Sequence, residues 1–126
     1  MKQFLILFTI LFTIIGNPQK DKIYRIEGEN KDAVGYSYFV NVLKLKDDKH
    51  YTLIEQEYVS KKFARKNIPS RFIQTYGVWG IENDTLKLID DSSKETILFV
   101  VVDNNNLDRL FNDEVQSNYY WKRVKD

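Results

Sequence analysis

Glu55 and Glu57 stand two residues apart in the run Tyr51 to Val59. On a strand that spacing puts both carboxylates on one face, and a carboxylate pair can act as acid and base in hydrolysis. Such a pair on a strand of a small domain is ordinarily solvated, and nothing else in the chain marks a cleft around it. His50 is the one histidine, and there is no cysteine. A lone imidazole beside the Asp47-Asp48-Lys49 turn is a poor start for a zinc site and leaves little room for Ser–His or Cys–His catalysis. Asp103-Asn104-Asn105-Asn106-Leu107-Asp108 offers oxygen ligands at alternate positions, as a calcium loop does, but lacks the glycine and distal glutamate of an EF-hand. A hairpin corner accounts for it, since Asn tolerates left-handed backbone. No glycine-rich phosphate loop is present. The expectation is a protein that is not an enzyme and needs no cofactor and no metal.

Two groups of residues are better suited to binding. The connection Ser60 to Arg71 carries Lys61, Lys62, Arg65, Lys66 and Arg71 and no acid. These five residues form a local positive patch that fits an anionic partner: a phosphate-bearing headgroup, an acidic glycan or an acidic protein. A solvated loop is the plainer account. Ser60 is placed to cap a helical turn running to about Lys66, with Pro69 preventing its extension. The second group is aromatic. Tyr36, Tyr38 and Phe39 near one end of the chain, and Tyr119, Tyr120 and Trp121 near the other, meet if the two ends of a barrel close on each other. Tyr38, Tyr120 and Trp121, with Trp79, are the candidates for lining a mouth that takes a small apolar ligand. Filling of the interior by these rings is the alternative.

Turn signals divide the chain into short apolar runs. They are Lys22 to Glu27, Tyr38 to Lys46, Tyr51 to Val59, Phe72 to Ile81, Thr85 to Ile89, Thr96 to Val102, Leu107 to Phe111 (strand or helical turn) and Asn118 to Val124. Gly28, Asp47-Asp48-Lys49, Glu82-Asn83-Asp84, Asp90 to Ser93 and Asp103 to Asn106 punctuate them. The eight tyrosines, eight phenylalanines and two tryptophans favour pleated sheet. Seven or eight strands joined in order by short turns predict an all-β antiparallel up-and-down meander. Closing it into a small barrel removes the exposed edges; a two-sheet β-sandwich is the alternative.

Tyr76 to Leu88 contains a Gly-x-Trp strand (Gly77, Trp79), an Asn83-Asp84 turn and a Thr85-Leu86-x-Leu88 return strand. This segment resembles the small exported calycin-type barrels of bacteria, which include lipocalin-like domains and the N-terminal barrel of the NlpE family. The resemblance implies a barrel that binds an envelope ligand. The NlpE family's lipidated cysteine and Cys-x-x-Cys pair have no counterpart here, so its metal and redox associations do not carry over. Gly77 and Gly80 permit bending or close strand approach. Trp79 and Leu86 are expected to point inward, with Trp79 as a large apolar plug.

Met1 to Gly16 has the order of a secretory signal: Lys2, the apolar run Phe4 to Ile15, then small Gly16 before Asn17-Pro18. The run is short for a membrane span, which takes about 20 residues. Removing it takes away Lys2 and leaves Lys+Arg and Asp+Glu equal at 18 each. That balance argues against nucleic-acid binding. The expected organisation is a signal peptide over 1–16 and a single barrel domain over 17–126. The mature chain is expected to be a monomer with no transmembrane span, in the periplasm or outside the cell and without a lipid anchor. The leading functional expectation is a non-enzymatic barrel that binds a small apolar or amphipathic envelope ligand. The alternative is an envelope interaction protein that contacts a protein or acidic polymer through its outer surface. An open interior favours the first and a filled one the second.

Overall fold

The computed structural model describes residues 21–32, 35–111, 114–115 and 120–124. The N-terminal signal-like run and Tyr119 lie outside the described residues. The strands are β1 (Lys22–Asp32), β2 (Gly35–Leu45), β3 (His50–Tyr58), β4 (Arg71–Glu82), β5 (Thr85–Asp90), β6 (Thr96–Asp103), β7 (Asn106–Phe111), β8 (Glu114–Val115) and β9 (Trp121–Arg123). Among the described residues a single helix, α1 (Lys61–Arg65), sits between β3 and β4.

Each strand from β1 to β7 pairs antiparallel with the next. β9 then bridges β7 and β1, through Leu107↔Trp121 and Tyr24↔Arg123, and closes an eight-stranded meander barrel. β8 only folds back on β7. The barrel and not the sandwich is therefore the observed architecture, for the reason closure offers: no strand in the circuit is left with an unpaired edge.

Local differences from the sequence reading have physical causes. Gly28 does not stop β1; it pairs with Phe39 and the strand runs on to Asp32. The residues with left-handed backbone are Lys49, Asn67, Asn83 and Lys94, none of them in the Asn104–Asn106 run. That corner is held instead by Asp103, whose Oδ1 accepts from the Asn105 amide at 2.8 Å and from Asn106 Nδ2 at 3.0 Å. These bonds lower the Asp103 pKa, the Asn105 amide contributing most. Ser60 does cap α1, its hydroxyl accepting from Phe63 N at 3.4 Å.

The core fills the middle of the barrel. Leu43, Leu86, Leu88 and Phe99 have no exposed surface, and Tyr51, Leu53, Leu107 and Trp121 pack with them. Leu86 points inward as expected. A second cluster lies on the outside of the wall, where Tyr38, Val40 and Tyr58 are covered by Ala64 of α1.

Candidate functional site

Alternation along a strand sends every second residue into the barrel. On β3 the inward set is Tyr51, Leu53, Glu55 and Glu57, which is apolar at one end and carboxylate at the other. On β2 it is Leu45, Leu43, Asn41 and Phe39, and on β4 it runs from Gly77 through Thr75 and Ile73 to Arg71. Register sets these side by side: Phe39↔Glu57↔Arg71 in one row and Asn41↔Glu55↔Ile73 in the next. The polar ends of the strands therefore meet at one mouth of the barrel.

There they line a cavity of about 330 Å³, joined by Asn30 and Ile26 of β1, Arg109 of β7 and Trp121 of β9. Glu55 and Glu57 are half-buried in it and Arg71 stands exposed at its rim. No ion pair within 4.0 Å engages Glu55, Glu57 or Arg71 among the described residues. Arg109 is half-buried, with its guanidinium 5.9 Å from the centre of the Phe99 ring. Burial pulls the Arg109 pKa below its ordinary value, and the Glu55 carboxylate acts in the opposite direction. It stays charged, because arginine does not lose its proton in proteins. The cup thus presents two anions, two cations, three amides and the rings of Trp121 and Phe39. Such a set can receive a small polar head that carries both charges and seat an apolar body on the aromatic rings.

Trp79 stands at the opposite mouth. Its indole Nε1 donates to Lys46 O at 2.9 Å and its amide donates to Lys49 O at 2.9 Å. Lys49 Nζ lies 4.2 Å from the ring centroid, a cation–π contact. Trp79 is half-buried, packed on the core and tied to the β2–β3 turn. With Leu86, Leu107 and the exposed Lys22, Ile81 and Asp103 it lines a second cavity of about 250 Å³ at that end.

The four aromatic candidates are therefore not brought together. Trp121 lines the polar cup, Trp79 stands at the far end, Tyr120 is exposed and does not line the cup, and Tyr38 faces outward beneath α1. Tyr38 donates its hydroxyl proton to Glu27 Oε2, and this bond, with burial, pushes its pKa up to about 12. The basic candidates also divide. Lys61, Lys62 and Arg65 lie on α1 and Lys66 is its C-cap, all exposed, whereas Arg71 turns into the cup opposite Glu57. Glu55 and Glu57, ordinarily solvated on such a strand, line the cup, and Arg109 joins them from a strand whose sequence carries no mark of a site. One signal was legible: period two puts the two glutamates on the same face as Tyr51 and Leu53, which must be the inner one.

No helix among the described residues is long and apolar enough to cross a membrane. No protein-family profile matches the chain, and no curated protein matches it. Among solved structures, the Cpx pathway activator NlpE from Escherichia coli superposes with a TM-score of 0.50 at 20% identity. The match covers 82% of this chain and 52% of NlpE, so the chain spans about half the length of that protein. At this identity the likeness is one of fold. It agrees with the NlpE-type barrel that residues 76–88 resemble; those residues lie in the β4–β5 hairpin.

Proposed function

We propose that this chain is an exported, non-enzymatic envelope barrel that binds a small amphipathic molecule by its polar head. The observation that carries the reading is the cup: Glu55 and Glu57 facing Arg71 and Arg109 in about 330 Å³ of space beside Trp121. The head carries both charges, a cationic group for the glutamates and an anionic one for the arginines. The apolar part lies along Trp121 and Phe39 and stays near the mouth, because the middle of the barrel is solid. Export is supported by Lys2, the run Phe4 to Ile15 and Gly16. Mass spectrometry of protein recovered from its host tests that part, with an N-terminus near Asn17 expected and an intact Met1 in the cytosol against it.

The binding experiment follows Trp fluorescence while dihexanoyl phosphatidylethanolamine, which carries both charges, is added below its micelle concentration. Dihexanoyl phosphatidylglycerol, which lacks the cation, serves as comparison. Wild type is expected to prefer the first, and Glu57→Gln and Arg71→Gln are each expected to weaken it by about tenfold, the worth of one charge-assisted hydrogen bond. Equal binding by wild type and by both variants, or no binding at all, overturns the reading. A second reading, recognition through the outer surface, is favoured by the filled middle of the barrel and by the separation of the α1 cations from the cup.

A further inference from the structure

The connection between β3 and β4 presents more than charge. Val59, Phe63, Ile68 and Phe72 are large apolar side chains left 60%, 39%, 54% and 51% exposed. They alternate with Lys61, Lys62, Arg65 and Lys66, and no acid lies between Tyr58 and Gln74. Its shape is held by the backbone. Asn67 adopts left-handed φ (60°), the Asn67 amide donates to Ala64 O at 3.0 Å, and the Ile68 amide donates to Phe63 O at 3.0 Å. This is a Schellman closure, which returns Ile68 beside Phe63. Ser70 N then ties the connection back to Glu57 O at 2.8 Å. Ala64 packs against the wall of the barrel, while Lys62, Phe63 and Lys66 are exposed.

We propose that this connection docks the barrel on an anionic phospholipid surface. Phe63 and Ile68 enter the boundary between headgroups and acyl chains, and Lys62 and Lys66 meet lipid phosphates. Exposed apolar groups set among cations are the combination that binds such an interface. A soluble acidic protein or polysaccharide would use the cations alone, and four apolar side chains would remain in water with nothing to cover them. The surface is independent of the cup. Because the connection joins the ends of β3 and β4 that carry Glu57 and Arg71, docking brings the cup's mouth to the lipid.

The test is co-sedimentation of the full chain, as recovered from the producing cells, with vesicles of phosphatidylglycerol and phosphatidylcholine, against vesicles of phosphatidylcholine alone. Wild type and variants keep the same N-terminus, so its contribution is common to all. Binding to the anionic vesicles is expected to fall with salt. Each cation near the surface is worth about fivefold in affinity, so Lys62→Glu with Lys66→Glu is expected to cost about 25-fold or more. Phe63→Ser and, separately, Ile68→Ser are each expected to weaken vesicle binding by at least about fivefold while leaving the thermal melt in place. Two single variants guard against one that loosens α1. Polyglutamate is offered in parallel. Equal pelleting of wild type and the charge variant overturns the proposal, as does pelleting by neither. Retention on polyglutamate that matches vesicle binding and ignores Phe63→Ser and Ile68→Ser overturns it in favour of an acidic macromolecule.

Discussion

Gly77 and Gly80 sit three residues apart on β4 and read alike in the sequence, but their surroundings separate them. Gly77 is buried and faces inward opposite Tyr51. A Cβ there would stand 2.6 Å from Tyr51 Cε2 and would collide with the Ile89 carbonyl oxygen of β5. The Tyr51 ring lies across the bare backbone and fills the space a side chain would take. Gly80 has nothing within 4 Å of its own Cβ position. Gly77→Ala is therefore expected to destabilise by at least about 1–3 kcal/mol, the usual cost of overpacking, and more because one clash is with backbone. Gly80→Ala is expected to stay within about 0.5 kcal/mol of wild type, as surface substitutions do. Urea denaturation of the two variants checks the contrast. Tyr51 also bears the electrostatic mark of its place: burial, with Asp90 and Asp91 nearby, pushes its pKa up to about 12.

At the scale of an element, β2 buries both of its faces in turn. Leu43 and Leu45 enter the barrel, while Tyr38 and Val40 lie under α1, although the pairing with β1 and β3 never slips. The helix, not a bulge, accounts for the change. The Tyr38–Glu27 hydrogen bond belongs to this outer packing, and Glu27 also pairs with Arg25 Nε at 3.1 Å. It gives the element a pH dependence of definite sign. A folded-state pKa of about 12 lies above the unfolded value of about 10. The folded form therefore holds its proton after the unfolded form has lost one. Stability from this group is complete below about pH 10 and drains away as pH rises toward about 12. Tyr38→Phe keeps the ring and removes the proton. The urea midpoint of that variant, followed from pH 8 to pH 12, is expected to fall less steeply than that of wild type. Identical slopes would show that Tyr38 does not carry the effect; Tyr51 and Tyr24, whose hydroxyl pKa values burial also pushes up, supply the slope that remains.

For the whole molecule, closure rests on a short element. Among the described residues, β9 pairs with β1 only at Tyr24↔Arg123 and Arg25↔Lys122, and with β7 only at Asn106↔Lys122 and Leu107↔Trp121. Trp121 seals the joint from inside, its ring edge-on to Phe99 at 5.4 Å between centroids. Deletion of residues 120–126 removes that ring and leaves β1 and β7 with open edges. The expected result is loss of the cooperative melt, or association of chains through the freed edges, read by calorimetry and by sedimentation velocity. A monomer that melts as wild type does would mean that β9 is not needed for closure.

Much of this architecture was legible locally. The β4–β5 hairpin at Asn83-Asp84, the inward Leu86, the Ser60 cap and the meander follow from alternation, turn residues and helix-end chemistry, which act over a few neighbours. Even the inner placement of Glu55 and Glu57 was implicit, since period two ties them to Tyr51 and Leu53. Other features required the tertiary structure. Nothing near Tyr24 in the chain announces that Arg123 will pair with it, and so barrel and sandwich remained alternatives until closure chose between them. Arg71 belongs by sequence to the basic connection and by register to the cup, because it is the first residue of β4 and faces Glu57 on the strand before it. The aromatic neighbours of Tyr38 in sequence suggest a mouth, and the fold puts it under a helix. Alternation assigns a residue to a face. Which face becomes the interior, and which end of the interior stays polar and open, is decided only when all eight strands of the circuit are paired.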